Sequence, residues 1–284
     1  MNLHLFSCFA SLKTPTSWAV MNGKGGLLCA SEMRKGVNKL LFVLCLLISI
    51  FVCSYFITIV IENFDVVQDV DFYIITMKTE ERMQNINTQL DRLRNSQFST
   101  KNVELVDAVV GKDLDLDQLI QEGILDLNGF NGDADPAKRR QINQREVGCY
   151  MSHIKSMEIV ANKNKPGYSV ILEDDFVLTD DFLNTLDKTL LTLKNIEFDM
   201  FFLGIWGNKG SQVIDNVYNI LPSFGTHGYL INNQSAYKIK KQIQYMDTTV
   251  DVSMFNKGIS KDLIIYRIDD VIVDQVGLAS SIRF

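Results

Sequence analysis

Residues 40–61 read LLFVLCLLISIFVCSYFITIVI, a run of 22 without a charge and with only Ser49, Ser54 and Thr58 clearly polar. As a helix rising about 1.5 Å per residue it would be roughly 33 Å long, enough to cross a hydrocarbon core of about 30 Å. Buried helices of soluble proteins rarely run so far without a charge. A cleaved signal peptide would have a shorter apolar region and a small-x-small cleavage site, and none precedes Glu62. Arg34, Lys35 and Lys39 stand just before the run, and Glu62, Asp65 and Asp69 just after it. The positive-inside rule then predicts a type II signal anchor. Residues 1–39 are the expected cytoplasmic tail, 40–61 the membrane span, 62–70 a stem and 71–284 a lumenal domain in the endoplasmic reticulum or Golgi. Met33 stands directly before Arg34, so a product starting at Met1 or at Met33 would carry a complete anchor.

The rest of the chain is acidic. The whole sequence is −6 and residues 1–39 are +4, which leaves −10 on residues 62–284. A domain of that sign is a poor partner for nucleic acid, although a bound cation would let it hold a phosphorylated ligand. Of the five cysteines only Cys149 follows the apolar run, so no disulfide can form within the large domain.

Beyond the stem, apolar strands and amphipathic helices alternate. Residues 71–77 (DFYIITM) read as a buried strand, and Thr79 with Glu80 and Glu81 as the start of a helix carrying Met83, Ile86, Leu90 and Leu93. A second strand is expected over 103–110. A polar loop over 127–145 holds Gly129, Gly132, Pro136 and the basic residues Lys138, Arg139, Arg140 and Arg145, which contact either solvent or an anionic ligand. Val147, Met151, Ile154, Met157 and Ala161 mark a helix, 168–172 a strand, and Leu183 to Leu193 another helix. Strands follow over 198–203 and 229–231, then a helix around Ala236, Ile239 and Ile243. The pattern predicts one α/β domain with a mainly parallel central sheet, preceded by one transmembrane helix.

Glu173-Asp174-Asp175 follows directly on the strand YSVIL. In open α/β sheets ligands bind beyond the carboxyl ends of the strands, and hard carboxylate oxygens suit Mg²⁺ or Mn²⁺. A solvated strand-end turn is the plain alternative. Three further segments accompany the triplet: 145–153 (REVGCYMSH), 198–204 (FDMFFLG) and 225–231 (GTHGYLI).

In order and spacing these four segments resemble family 25 glycosyltransferases, the procollagen and lipooligosaccharide galactosyltransferases, over about residues 70–284. The resemblance implies a GT-A fold and inverting transfer of a sugar, usually galactose, from a UDP-sugar to a protein or glycan acceptor. It implies a metal shell of Asp174, Asp175 and His227, with Mn²⁺ or Mg²⁺, and donor contacts from Thr76, Arg82, His153, Glu173 and Asp174. Asp251 matches a late acidic position and is the expected base, or else a helix cap. Glu146 lies near the site, or caps its own helix; His153 is either a contact or buried packing. Trp206 either stacks on a sugar face or packs. Asn233-Gln234-Ser235 is a glycosylation sequon. The family's usual Ile-Asn-Leu is Ile75-Thr76-Met77 here, and its Gly before Glu146 is Arg145, which bears on donor selection more than on fold. Two rival readings remain: a non-catalytic anchored binding protein of the same fold, and a metal-dependent phosphohydrolase, which would ordinarily need more than three histidines.

Overall fold

The computed structural model describes residues 26–64, 70–94, 103–130, 137 and 140–276. The first part of the expected tail, most of the stem, and Gly132, Pro136, Lys138 and Arg139 lie outside the described residues. The chain divides into two units, Met1–Val60 and Ile61–Phe284. The first contains most of a long helix, α1 (Gly26–Phe64). This helix begins well before the apolar run, where a tail without periodicity was expected. The segment Gly26-Leu27-Leu28-Cys29-Ala30 holds no proline and only one glycine, so nothing in it stops a helix from extending backwards. Its stretch Gly36–Tyr55 has a mean hydropathy of 2.4 and is long enough to cross a membrane.

In the second unit the strands are β1 (Val70–Thr76), β2 (Val103–Asp107), β3 (Leu125–Phe130), β4 (Tyr168–Glu173), β5 (Phe176–Leu178), β6 (Met200–Ile214), β7 (Val217–Asn232), β8 (Met246–Thr248), β9 (Ile265–Ile268) and β10 (Val273–Gln275). The helices are α2 (Glu80–Arg94), α3 (Leu116–Gln121), α4 (Gln144–Lys163), α5 (Phe182–Leu193), α6 (Ala236–Ile243) and α7 (Val250–Ile259). The central sheet has the order β2-β1-β4-β7-β6-β9, with β7 alone running against the other five. β3 pairs with β8, and β5 with β10.

Strand β1 is buried along its whole length because helices cover both faces, which is why it reads as a continuous apolar run. Phe72 and Ile74 point to one layer with Ile86, Leu90, Leu186 and Leu190 of α2 and α5. Tyr73 and Ile75 point to the other, with Tyr150, Met157, Ile239 and Met254 of α4, α6 and α7. The expected helices and the mainly parallel sheet are therefore present. Thr79 Oγ1 accepts from Arg82 N at 3.5 Å, as its place before Glu80 predicts.

Strands β2, β6 and β7 differ from expectation. β2 stops at Asp107, after which a 3₁₀ turn at Gly111–Asp113 packs under α4. There, a Cβ on Gly148 would lie only 2.6 Å from Gly111 N, so backbone meets backbone directly. β6 and β7 are 15 and 16 residues long, although Gly207, Gly210 and Pro222 give the sequence a loop-like look. They are joined by Asp215 and Asn216, with Ile214 opposite Val217 and Asn216 at φ 59°. Asn tolerates that left-handed conformation, which a two-residue hairpin needs. The hairpin curls so that Val217–Asn219 pair with β9, which also pairs with the start of β6. Buried Arg267 fastens it by donating from Nη1 to Gly207 O at 2.7 Å.

Candidate active site

The chain passes from β1 to β2 on one side and later to β4 on the other, so β1 and β4 flank a switch point of the sheet. Ile75 lies in register with Glu173, which puts Thr76 and the acidic triplet side by side at the carboxyl ends of these strands. Met77 N donates to Asp174 Oδ2 at 3.1 Å, joining the two strand ends directly. Thr76 is buried; its hydroxyl accepts from Lys78 N at 2.9 Å and steadies Lys78 at φ 54°.

Arg82 reaches back from the first turn of α2. Its Nη1 is 2.6 Å from Asp174 Oδ1 and 3.3 Å from Asp175 Oδ2. One turn on, Asn85 Nδ2 donates to the carbonyls of Asp174 and Phe176, each at 3.0 Å. Both oxygens of Asp174 are thus committed to the protein. Asp175 is held more loosely, by Gln275 Nε2 at 3.2 Å. Burial and the neighbouring charges of Glu173 and Asp174 push its pKa up to about 6, although Arg82 pulls the other way.

Glu173 faces the other layer. Its Oε1 accepts from Thr226 Oγ1 at 2.5 Å and lies 3.4 Å from His153 Nε2. Burial would raise this carboxyl, but the His153 ring and the Thr226 hydroxyl outweigh it and hold the pKa below the ordinary value. His153 is wholly buried on α4, with Nδ1 2.8 Å from the Tyr229 hydroxyl. Beside it, burial and the charge of Glu173 push the Cys149 thiol well up.

His227 on β7 is also wholly buried, and neither ring nitrogen has a hydrogen-bond partner. Burial lowers its pKa against the opposing pull of Glu173 and Asp274. The ring packs between two glycines and against Trp206, 5.1 Å centroid to centroid. A Cβ at Gly204 would sit 2.5 Å from its Cδ2, and one at Gly225 would sit 2.9 Å from its Nδ1. Gly225 has φ +94°, so both space and backbone conformation favour glycine there. Trp206 is 49% exposed and lies in register with Phe224, 43% exposed, so two exposed aromatic residues stand side by side on the hairpin, Trp206 against His227.

Other expected residues have definite structural engagements. Glu146 is buried in a capping box with Asn143, and both its oxygens pair with Arg140 at 2.7 Å. Arg140 is therefore occupied by Glu146, while Arg145 lies exposed on the first turn of α4. Asp251 accepts from Gly225 N at 3.0 Å and from Val252 N at 2.8 Å, so it fixes the bend that carries Thr226 and His227. Asn233, in the sequon, accepts from Ser169 Oγ at 2.7 Å. Among the described residues, the donor atoms found within 4.8 Å of one another are those of Cys149, His153 and Glu173, rather than those of Asp174, Asp175 and His227. Sequence reasoning passed over Asn85, Thr226, Tyr229 and Gln275. Asn85 follows Arg82 by three residues and so shares its helix face, a usable signal. Gln275 comes from a distant strand and gave none.

The model of the family described as Glycosyltransferase family 25 (LPS biosynthesis protein) matches residues 70–210. Procollagen galactosyltransferase 1-B of Xenopus laevis is 30% identical over 144 residues, 48% of this chain and 23% of that protein. Procollagen galactosyltransferase 2 of Homo sapiens is 29% identical over 170 residues, covering 55% and 26% respectively. Probable inactive glycosyltransferase 25 family member 3 of Rattus norvegicus is 30% identical over 105 residues, covering 36% and 18%. The chain thus spans about a quarter of the length of the first two of these relatives and less of the third.

Proposed function

This chain belongs to glycosyltransferase family 25 through residues 70–210, and from that premise we propose that it moves a sugar, galactose by preference, from a UDP-sugar to a hydroxyl of a protein or glycan. The observation that carries the proposal is the acidic triplet at the carboxyl end of β4, at the switch point of the sheet, with Glu173 acting electrostatically on buried His227, whose ring nitrogens lack a hydrogen-bond partner. Transfer is assigned as inverting, a single displacement in which the acceptor hydroxyl attacks the anomeric carbon as UDP leaves.

The donor types of Asp175 and His227 fit a divalent cation such as Mn²⁺ or Mg²⁺, which would have to draw the two together, since their donor atoms are not among those within 4.8 Å of one another. Asp175 offers carboxylate oxygen, and His227 offers buried nitrogens that lack any partner. Asp174, already bound by Met77 and Arg82, belongs to the support of that site rather than to its open face. When bound, the cation would neutralise charge developing on the diphosphate. Arg82 holds Asp174 and Asp175 in fixed relation, and Thr226 does the same for Glu173. Trp206 and Phe224 offer flat apolar faces to a sugar ring. Asp251 is assigned as the base that removes the acceptor proton; a carboxylate accepting two backbone N–H groups still has lone pairs free. Glu146, tied to Arg140, serves by anchoring the start of α4.

The relative named as inactive makes the direct test necessary. Full-length protein in detergent is assayed for UDP release across a panel of UDP-sugars, with Mn²⁺ or EDTA, beside Asp175→Ala and His227→Ala. Cation-dependent release favouring one sugar and lost in both variants is expected. Absence of release together with absence of calorimetric Mn²⁺–UDP binding would replace this reading with a non-catalytic binding role. We also assign α1 as a type II anchor that places the transferase in the endoplasmic reticulum or Golgi lumen. Protease protection of residues 70–276 in intact microsomes tests that orientation.

A further inference from the structure

Cys149 and His153 are four residues apart on α4 and share one face of it. That face meets the end of β4, where Cys149 Sγ, a ring nitrogen of His153 and a carboxylate oxygen of Glu173 all lie within 4.8 Å of one another. His153 is wholly buried; its Nε2 makes no hydrogen bond but faces Glu173 Oε1 at 3.4 Å, while the ring's other nitrogen is taken by the Tyr229 hydroxyl at 2.8 Å. A histidine steadied by a hydrogen bond at one nitrogen, with the other turned towards a second donor group, is the arrangement of a metal ligand.

The spacing agrees. Tetrahedral Zn²⁺ with bonds of about 2.0–2.3 Å sets neighbouring donors roughly 3.3–3.8 Å apart. Nε2 of His153 and Oε1 of Glu173 are already 3.4 Å apart, so the main adjustment falls on Cys149, by about 1.5 Å at most on that comparison. The donor types agree as well. One thiolate, one imidazole and one carboxylate form a borderline-soft set that favours Zn²⁺ over Mg²⁺ or Mn²⁺. Glu173, close beside Cys149, supplies negative charge that a divalent cation would offset.

We propose that Cys149, His153 and Glu173 form a second cation site, selective for Zn²⁺-class metals and separate from the site of Asp175 and His227. On binding, the Cys149 S–H bond breaks, its proton goes to solvent, and Sγ donates the electron pair to the metal. Water supplies the fourth ligand. Occupation draws Glu173 away from Thr226 Oγ1, its present partner. The inference stands whether or not the chain transfers sugar.

The test uses full-length protein in detergent with Cys8, Cys29, Cys45 and Cys53 replaced by Ser, so that Cys149 is the remaining thiol. Co²⁺ is titrated in and then displaced by Zn²⁺. The expected result is one equivalent of Co²⁺ with a thiolate-to-cobalt charge-transfer band in the near ultraviolet, abolished by Zn²⁺. The added substitution Cys149→Ser should remove the band. Tyr229→Phe, which keeps the donors but frees Nδ1, should retain it with affinity weakened about 10- to 100-fold. A folded parent protein that shows no band, or a band that survives Cys149→Ser, overturns the proposal.

Discussion

Replacing Asp175 with Asn should make the cation-free protein more stable at neutral pH while disabling it. In the fold the carboxyl has a pKa of about 6, against an ordinary value of 3.8, because burial and the charges of Glu173 and Asp174 outweigh the pull of Arg82. The folded state therefore holds this proton more tightly than the unfolded state does. Its contribution to stability is greatest below about pH 4 and is lost as the pH rises through 6. A shift of about two pKa units corresponds to about 3 kcal/mol once the group is ionised. Asn is neutral at every pH and close in shape, and its carbonyl can still accept from Gln275. The gap between Asp175→Asn and the parent should be near zero at pH 4 and approach about 3 kcal/mol by pH 7.5, or roughly 6–12 °C in Tm for a domain of this size. Thermal unfolding with chelator present, followed across pH 4–8, reads it directly. A variant no more stable than the parent at pH 7.5, or a gap that does not change with pH, would refute the electrostatic reasoning.

Asp251 separates two roles by one pair of variants. If it removes the acceptor proton, Asp251→Asn and Asp251→Ala should both lower kcat by about 10²–10⁴-fold; if it only holds Gly225 N, Asn should retain most of the rate and Ala should not. Asn143→Ala removes the acceptor for Arg145 N and Glu146 N, and should cost about 1 kcal/mol of stability, with kcat unchanged. Gly204→Ala would place a methyl 2.0 Å from Val273 O and 2.5 Å from His227 Cδ2. It should lower stability by about 3 kcal/mol and weaken Mn²⁺ binding measured by calorimetry, because the His227 ring must give way.

The parallel half of the fold was legible because its strands are covered on both faces. Runs such as 71–77 and 168–172 are mostly apolar without alternation, and the helices between them repeat at helical spacing. The acidic triplet was legible for the same reason, standing at the end of such a strand. What escaped were pairings set by tertiary contact. Residues 205–227 contain Gly207, Asn208, Gly210 and Pro222, and look like a loop until the Asp215–Asn216 turn and β9 bring them into register. Thr226 takes its position beside Glu173 from that same pairing, and no local pattern announced it. Glu146 shows the converse. Its sequence signal, an Asn three residues earlier, already allowed a cap, and the structure has that cap.

The long hairpin of β6 and β7 has a consequence for the order of assembly. Its return strand pairs through Val217–Asn219 with residues 266–268, and Asp175 O accepts from Val276 N. Both clasps come from residues that leave the ribosome after the rest of the central sheet, and pairings so distant in sequence form late. During synthesis the helices and the β1–β4 core can assemble while the edge bearing Trp206, Phe224 and His227 is still unclasped. A chain halted before residue 265 would therefore carry every acidic residue of the triplet yet lack both clasps on the edge that bears His227.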